Sequence, residues 1–257
     1  MLLNRLDHLW RVLGTGLAFL ALFGGGPIVA LITICIARLM LLGGTERAAR
    51  MRYLIHRMFR LYIRTLVVLR VIDVDMEGSA KLADRGGRLI VSNHPTLLDV
   101  VLLVALIPRA QCVVKSEHWN GMLGPVMRAA GYIRNDLPAE EMLAASRAAL
   151  DGGYHLIIFP EGTRSRPGQP LRFRRGFAHI ATMLEAEIQL VVLTCNPPTL
   201  LKGDKWWQVP PRRPRFRVAI GNTITMKDVG VEEHRSLTTR KLVRHLEDYY
   251  MEQLANG

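Results

Sequence analysis

The sequence predicts an α/β fold, a central mixed sheet flanked by helices, with an N-terminal hydrophobic helical membrane anchor. Three observations predict it. From residue 71 onward, short apolar runs of strand length alternate with longer helical patterns, as in folds that layer helices on a sheet. Two of the runs end in polar loops, the place where such sheets gather ligands. Residues 12–37 carry no charge at all.

At 1.5 Å rise per residue the uncharged segment is long enough to cross a bilayer of ~30 Å. Gly24-Gly25-Gly26-Pro27 interrupts it, so residues 1–44 read as a single kinked span or as a helical hairpin dipping into one leaflet. A signal peptide fits less well, because the run is too long and its cleavage cues are weak. Basic residues flank both ends: Arg5 and Arg11 before it, Arg38, Arg47, Arg50 and Arg52 after it. That symmetry leans towards the hairpin.

Residues 45–70 follow a helical pattern. Arg47, Arg50, Arg57, Arg60 and Arg64 fall on one stripe, and Leu54, Ile55, Met58, Leu61, Tyr62 and Thr65 on other faces. Beside an apolar anchor this reads as an amphipathic interfacial helix with its arginines at lipid headgroups, ahead of the alternative, a surface helix with a solvated face. Residues 71–257 form the α/β unit. Strands are expected over 89–92, 111–115, 155–159, 188–194 and 215–220, and helices over 98–106, 139–150, 176–187 and 235–254. Residues 210–217, rich in Pro and Arg, read as a mobile loop.

The balance of 34 Lys and Arg against 22 Asp and Glu leaves a net charge of +12. Nucleic acid, anionic lipid, or an acidic carrier or phosphorylated substrate would each suit that charge. No nucleic-acid reader motif is present, and the apolar N-terminus favours a phospholipid membrane. Cys35, Cys112 and Cys195 are odd in number and widely spaced, which suits reduced thiols on the cytosolic side.

Two loops carry chemistry. Ser92-Asn93-His94-Pro95-Thr96-Leu97-Leu98-Asp99 leaves a strand and opens a helix. A histidine titrates near neutrality and can take a proton, and a carboxylate on one ring nitrogen leaves the other free to do so. Within one helix a spacing of five would put the two side chains ~140° apart. The pairing therefore requires His94 to lie in the turn before the helix, where Pro95 favours it and Asn93 can order the chain. The second loop, Phe159-Pro160-Glu161-Gly162-Thr163-Arg164-Ser165, also follows a buried strand. Glu161 can accept from hydroxyls, Arg164 can fork onto phosphate or carboxylate, and Gly162 lets backbone approach a ligand.

Together, Asn93-His94-x-x-x-x-Asp99 and Phe159-Pro160-Glu161-Gly162-Thr163-Arg164-Ser165 closely resemble the motifs of the glycerolipid acyltransferase family, which includes lysophosphatidic acid acyltransferases. The resemblance covers roughly residues 77–224. It implies transfer of an acyl chain from acyl-CoA or an acyl carrier protein to a lipid hydroxyl, with no metal, no cofactor and no acyl-enzyme. It further implies His94 as general base, Asp99 as its orienting carboxylate, and Glu161, Gly162, Thr163 and Arg164 with Asn93 around the acceptor. The site would lie at the cell membrane, facing the cytoplasm. Two further family motifs match poorly. Leu137 stands where relatives carry an acceptor-phosphate Arg, with Arg134 nearby as a substitute, and Pro197 is displaced from its usual place. An acceptor without phosphate, such as a specialised lipid, pigment or secondary-metabolite alcohol, is therefore the alternative.

Other readings are a hydrolase using Ser92, which lacks a Gly-x-Ser-x-Gly elbow, and a non-enzymatic membrane-binding protein, which leaves both loops unexplained. A metal site from His94, Asp99, His118 and Glu161 has no supporting spacing. Arg172, Arg174 and Arg175 suit an acidic carrier, CoA phosphates or solvent, and Trp206 and Trp207 suit a membrane interface or a loop anchor.

Overall fold

A computed structural model of the chain describes residues 2–25, 28, 31, 32, 35, 44–82, 86–165, 169–230 and 234–255. The choice between hairpin and single span turns on residues 26–43, most of which, Arg38 included, lie outside the described residues.

Seven strands make one sheet: β1 (Asp73–Glu77), β2 (Leu89–Ser92), β3 (Ala110–Val114), β4 (Ile133–Arg134), β5 (His155–Ile158), β6 (Ile188–Asn196) and β7 (Arg215–Ile224). Their spatial order is β1-β7-β6-β2-β5-β3-β4. All neighbours run parallel except β6 and β7, so the sheet is mixed. The helices are α1 (Leu2–Leu20), α2 (Gly44–Val68), α3 (Asp99–Leu106), α4 (Ser116–Trp119), α5 (Gly124–Ala129), α6 (Ala139–Asp151), α7 (Gly176–Leu184), α8 (Met226–Val229) and α9 (Arg235–Ala255).

Central strand β2 is buried along its whole length, which explains its unbroken apolar run. The period of two sends Leu89 and Val91 into one core with Phe177 and Ile180 of α7 and Leu242, Leu246 and Tyr250 of α9. Ile90 enters the opposite core, with Met51 and Ile55 of α2 and Leu103 and Val104 of α3. Helix α2 turns Arg50, Arg57, Arg60 and Arg64 to the exposed side. On its inner side His56 Nδ1 lies 2.8 Å from the Val104 carbonyl.

Two strands escape a periodicity argument. β4 has only two residues. β1 reads Asp-Val-Asp-Met-Glu, a poor strand sequence. It forms at the sheet edge, where its acids meet arginines on and just before β7: Asp73 with Arg213 at 3.0 Å, Asp75 with Arg215 at 3.5 Å and Glu77 with Arg217 at 2.9 Å. Each pair is exposed and weak on its own, but together they match β1 to β7. Hence the stretch 210–217, expected as a mobile loop, is tied down: Arg215–Arg217 are strand, and the Pro214 carbonyl takes the Asp73 N–H at 2.8 Å.

Helix α1 packs on the α/β unit along one side. Arg11, read from sequence as a basic flank, is 0% exposed. Its guanidinium donates to the carbonyls of Pro210 at 2.8 Å and Pro211 at 2.7 Å, and Nε reaches Asp7 at 3.2 Å. Trp10 Nε1 donates to the Leu69 carbonyl at 2.7 Å. Trp206 lies so close to Gly16 that a Cβ there would meet its ring at 2.8 Å. The other side of α1 exposes Leu6, Leu9, Leu13, Leu17 and Leu20 at helical spacing.

Candidate active site

Strands β2 and β5 are parallel neighbours in register, Leu89 beside Leu156 and Val91 beside Ile158. Their C-terminal ends therefore deliver both loops to one edge of the sheet. Helix α3 begins only at Asp99, so residues 93–98 are turn, as the pairing of His94 with Asp99 requires.

His94 Nδ1 lies 2.8 Å from Asp99 Oδ2. Asp99 is 1% exposed, while the His94 side chain keeps 16%. Thr96 donates to the same carboxylate twice, from its N–H to Oδ2 at 2.7 Å and from its hydroxyl to Oδ1 at 2.6 Å. Burial pushes the Asp99 carboxyl above its ordinary value, and the donors at His94 and Thr96 pull it back. An acceptor at Oδ2 keeps the imidazole proton on Nδ1, leaving Nε2 as the basic end. Phe159 stacks on the imidazole, with centroids 4.3 Å apart, and limits its rotation.

The second loop closes on the first. Glu161 Oε1 accepts from the His94 N–H at 2.9 Å and from the Ser165 hydroxyl at 2.9 Å, and the Ser165 N–H donates to the His94 carbonyl at 2.7 Å. Burial pushes the Glu161 carboxyl above its ordinary value of 4.5, against those donors. A carboxyl raised on folding costs the fold stability at pH above its raised value, and the cost fades as pH falls towards the unfolded value. Glu161→Gln keeps an acceptor for His94 and removes the charge. It is expected to melt at a higher temperature than the parent at neutral pH, with the gain shrinking in acid, while turnover falls. Thermal melts across a pH series, paired with rates, check this.

Other predicted residues have partners of their own. Asn93, expected to bind substrate, is 2% exposed and trades two hydrogen bonds of 2.8 Å with the backbone of Leu193, so both ends of its amide serve the turn. Arg164 Nη1 donates to the carbonyls of Leu200 at 3.0 Å and Leu201 at 2.8 Å. Arg134 forks onto Asp136 at 2.8 and 2.6 Å. Its strand β4 stands three strand steps from β2, ~14 Å at ~4.8 Å each. Gly162 takes φ +68°, and Thr163 is half-buried beside it. Ser92 is buried and donates to the Asn93 carbonyl at 3.0 Å, which takes it out of any triad with His94. The backbone N–H groups of His94, Thr96, Leu97 and Leu98 all have protein acceptors, so the start of α3 offers none of these four to a developing oxyanion.

Sequence reasoning missed Thr96, Phe159 and Ser165. A signal existed for the first: Thr96-x-x-Asp99 has the spacing of a helix capping box. Beside the turn lies a recess of ≈ 290 Å³ bordered by Thr96, Ser165, Leu171, Leu193, Cys195 and Leu254, among others. Burial pushes the Cys195 thiol up to about 12, so it stays protonated there.

Sheet, paired loops and buried His–Asp couple bring one histidine, with a free ring nitrogen, to the C-terminal edge of an α/β sheet. Residues 73–196 match the family model described as Acyltransferase. Similar proteins include the 1-acyl-sn-glycerol-3-phosphate acyltransferases of Cocos nucifera, 33% identical over 128 residues, and Helicobacter pylori, 34% identical over 117 residues. These matches cover 47% and 43% of this chain and 41% and 49% of the relatives, so the chain matches less than half the length of either. The fold is that of the crystal structure of the 1-acyl-sn-glycerophosphate (LPA) acyltransferase PlsC from Thermotoga maritima, with a TM-score of 0.61 at 19% identity, covering 96% of this chain and 97% of that one.

Proposed function

We propose that this chain is a membrane-bound O-acyltransferase that moves an acyl group from acyl-CoA or an acyl carrier protein to a hydroxyl of a lysophospholipid such as 1-acylglycerol 3-phosphate. The observation that carries the reading is the 2.8 Å contact of His94 Nδ1 with Asp99, beside a turn that Glu161 holds in place. In this reaction His94 Nε2 takes the proton as the hydroxyl oxygen attacks the thioester carbonyl. The intermediate collapses, the C–S bond breaks, and the thiolate leaves with the proton that His94 returns. The recess beside Thr96 suits an apolar chain. Membrane attachment is supported by the exposed leucine stripe of α1, by Trp206 and Trp207, and by the exposed arginines of α2. Acyl thioesters are cytoplasmic, so the site faces the cytoplasm.

A second reading, an alcohol acceptor without phosphate, is favoured by one observation: Arg134 is forked onto Asp136, and Nη1 of Arg164 onto two carbonyls. Purified protein in detergent, given acyl-CoA and matched acceptors with and without phosphate, decides between them. The first reading expects lysophosphatidic acid to be acylated at least 10-fold faster than monoacylglycerol. The reverse order would establish the second.

A further inference from the structure

We propose that Arg174 supplies the cation that binds a phosphate ester at this site. The inference rests on the first reading above and names the residue that the two expected arginines leave open. The backbone of Arg174 is fixed against the second loop, its N–H donating to the Pro160 carbonyl at 2.8 Å. Next door, the Phe173 N–H donates to Glu247 at 2.7 Å. The Arg174 side chain then lies on Gly162. A Cβ at Gly162 would stand 2.8 Å from Arg174 Nε and 3.0 Å from its Cδ, so the arginine side chain lies directly against this glycine.

Arg174 is exposed, and among the described residues no carboxylate pairs with it. Its neighbours in the chain, Arg172 and Arg175, are exposed as well and add to the local positive field. A guanidinium presents a planar fork that matches phosphate oxygens, and here it sits one residue from Glu161, which holds the His94 turn. A phosphate on Arg174 would thus be anchored at the loop that orients the base. Two ligands of the proposed reaction carry such a group, the lysophospholipid acceptor and the CoA donor.

The test is equilibrium binding to the full-length protein in detergent, independent of turnover. Lysophosphatidic acid, coenzyme A and phosphate-free monoacylglycerol are titrated against the parent, Arg174→Ala and Arg174→Lys. Arg172→Ala and Arg175→Ala control for the loss of one charge nearby. Arg174→Ala is expected to weaken one of the two phosphate ligands by ~10–100-fold. Arg174→Lys should weaken it less, the two controls under 3-fold, and monoacylglycerol should be unaffected. The ligand that weakens identifies the source of the phosphate. The proposal is overturned if Arg174→Ala binds both within 2-fold of the parent, if either control weakens binding as much, or if the parent binds neither. A protein that binds phosphate through Arg174 yet transfers no acyl group would instead overturn the function proposed above.

Discussion

Replacing His94 with alanine is expected to lower kcat by ~10²–10⁴-fold, the range for removal of a positioned general base. The fold should survive. The imidazole is partly exposed and forms no part of either core, and its backbone bonds to Glu161 and Ser165 do not depend on the side chain. Affinity for the thioester should change little, because in the proposed reaction the proton is taken only as the hydroxyl attacks. Steady-state rates with a saturating donor, beside a thermal melt, check both halves. A variant that melts with the parent and keeps full turnover would remove His94 from the reaction.

Asp99→Asn is expected to cost about 10²-fold in kcat, less than the ~10⁴-fold seen where an amide forces the wrong imidazole tautomer. The difference comes from Thr96. Its N–H points at Oδ2, the same oxygen that faces His94 Nδ1. An amide placed here must keep its oxygen at that corner, since its NH₂ would meet the Thr96 N–H donor to donor. Its NH₂ then faces the Thr96 hydroxyl, which can turn to accept. The tautomer is preserved and only the charge is lost. In the proposed reaction that charge stabilises the imidazolium of the transition state in a buried setting. Asp99→Ala loses orientation too and leaves both Thr96 donors unpaired, so it should be slower still and less stable. An Asp99→Asn rate equal to the parent's would show that the carboxylate does no more than hold the turn.

The couple was legible in the sequence for a physical reason. A spacing of five within a helix separates the two side chains, so the pair makes sense only if the helix starts at Asp99 and Pro95 keeps His94 in a turn. The strands around it were legible because buried parallel strands are unbroken apolar runs. β1 was not, since its acids become compatible with a sheet only once arginines from a segment ~140 residues later lie alongside. The arginines show the same limit. Sequence states what a guanidinium can bind and says nothing of who reaches it first. Arg134 is taken by Asp136, two residues on. Arg164 is taken in part by carbonyls 36 and 37 residues away. Arg11, at the edge of an uncharged run, read only as a basic flank, and it bolts α1 to the carbonyls of Pro210 and Pro211. The end of α7 fell short of the expected 187 because Glu185 adopts φ 50°, a backbone turn that residue type does not announce.

The measurement that bears most directly on this account is the mass of the product formed when the parent and His94→Ala are each incubated with acyl-CoA and lysophosphatidic acid. The parent should yield acceptor heavier by one acyl group, with free CoA in equal amount, and the variant should yield a hundredth of that or less. Product formed at the same rate by both proteins, or CoA released with no acylated acceptor, would contradict it.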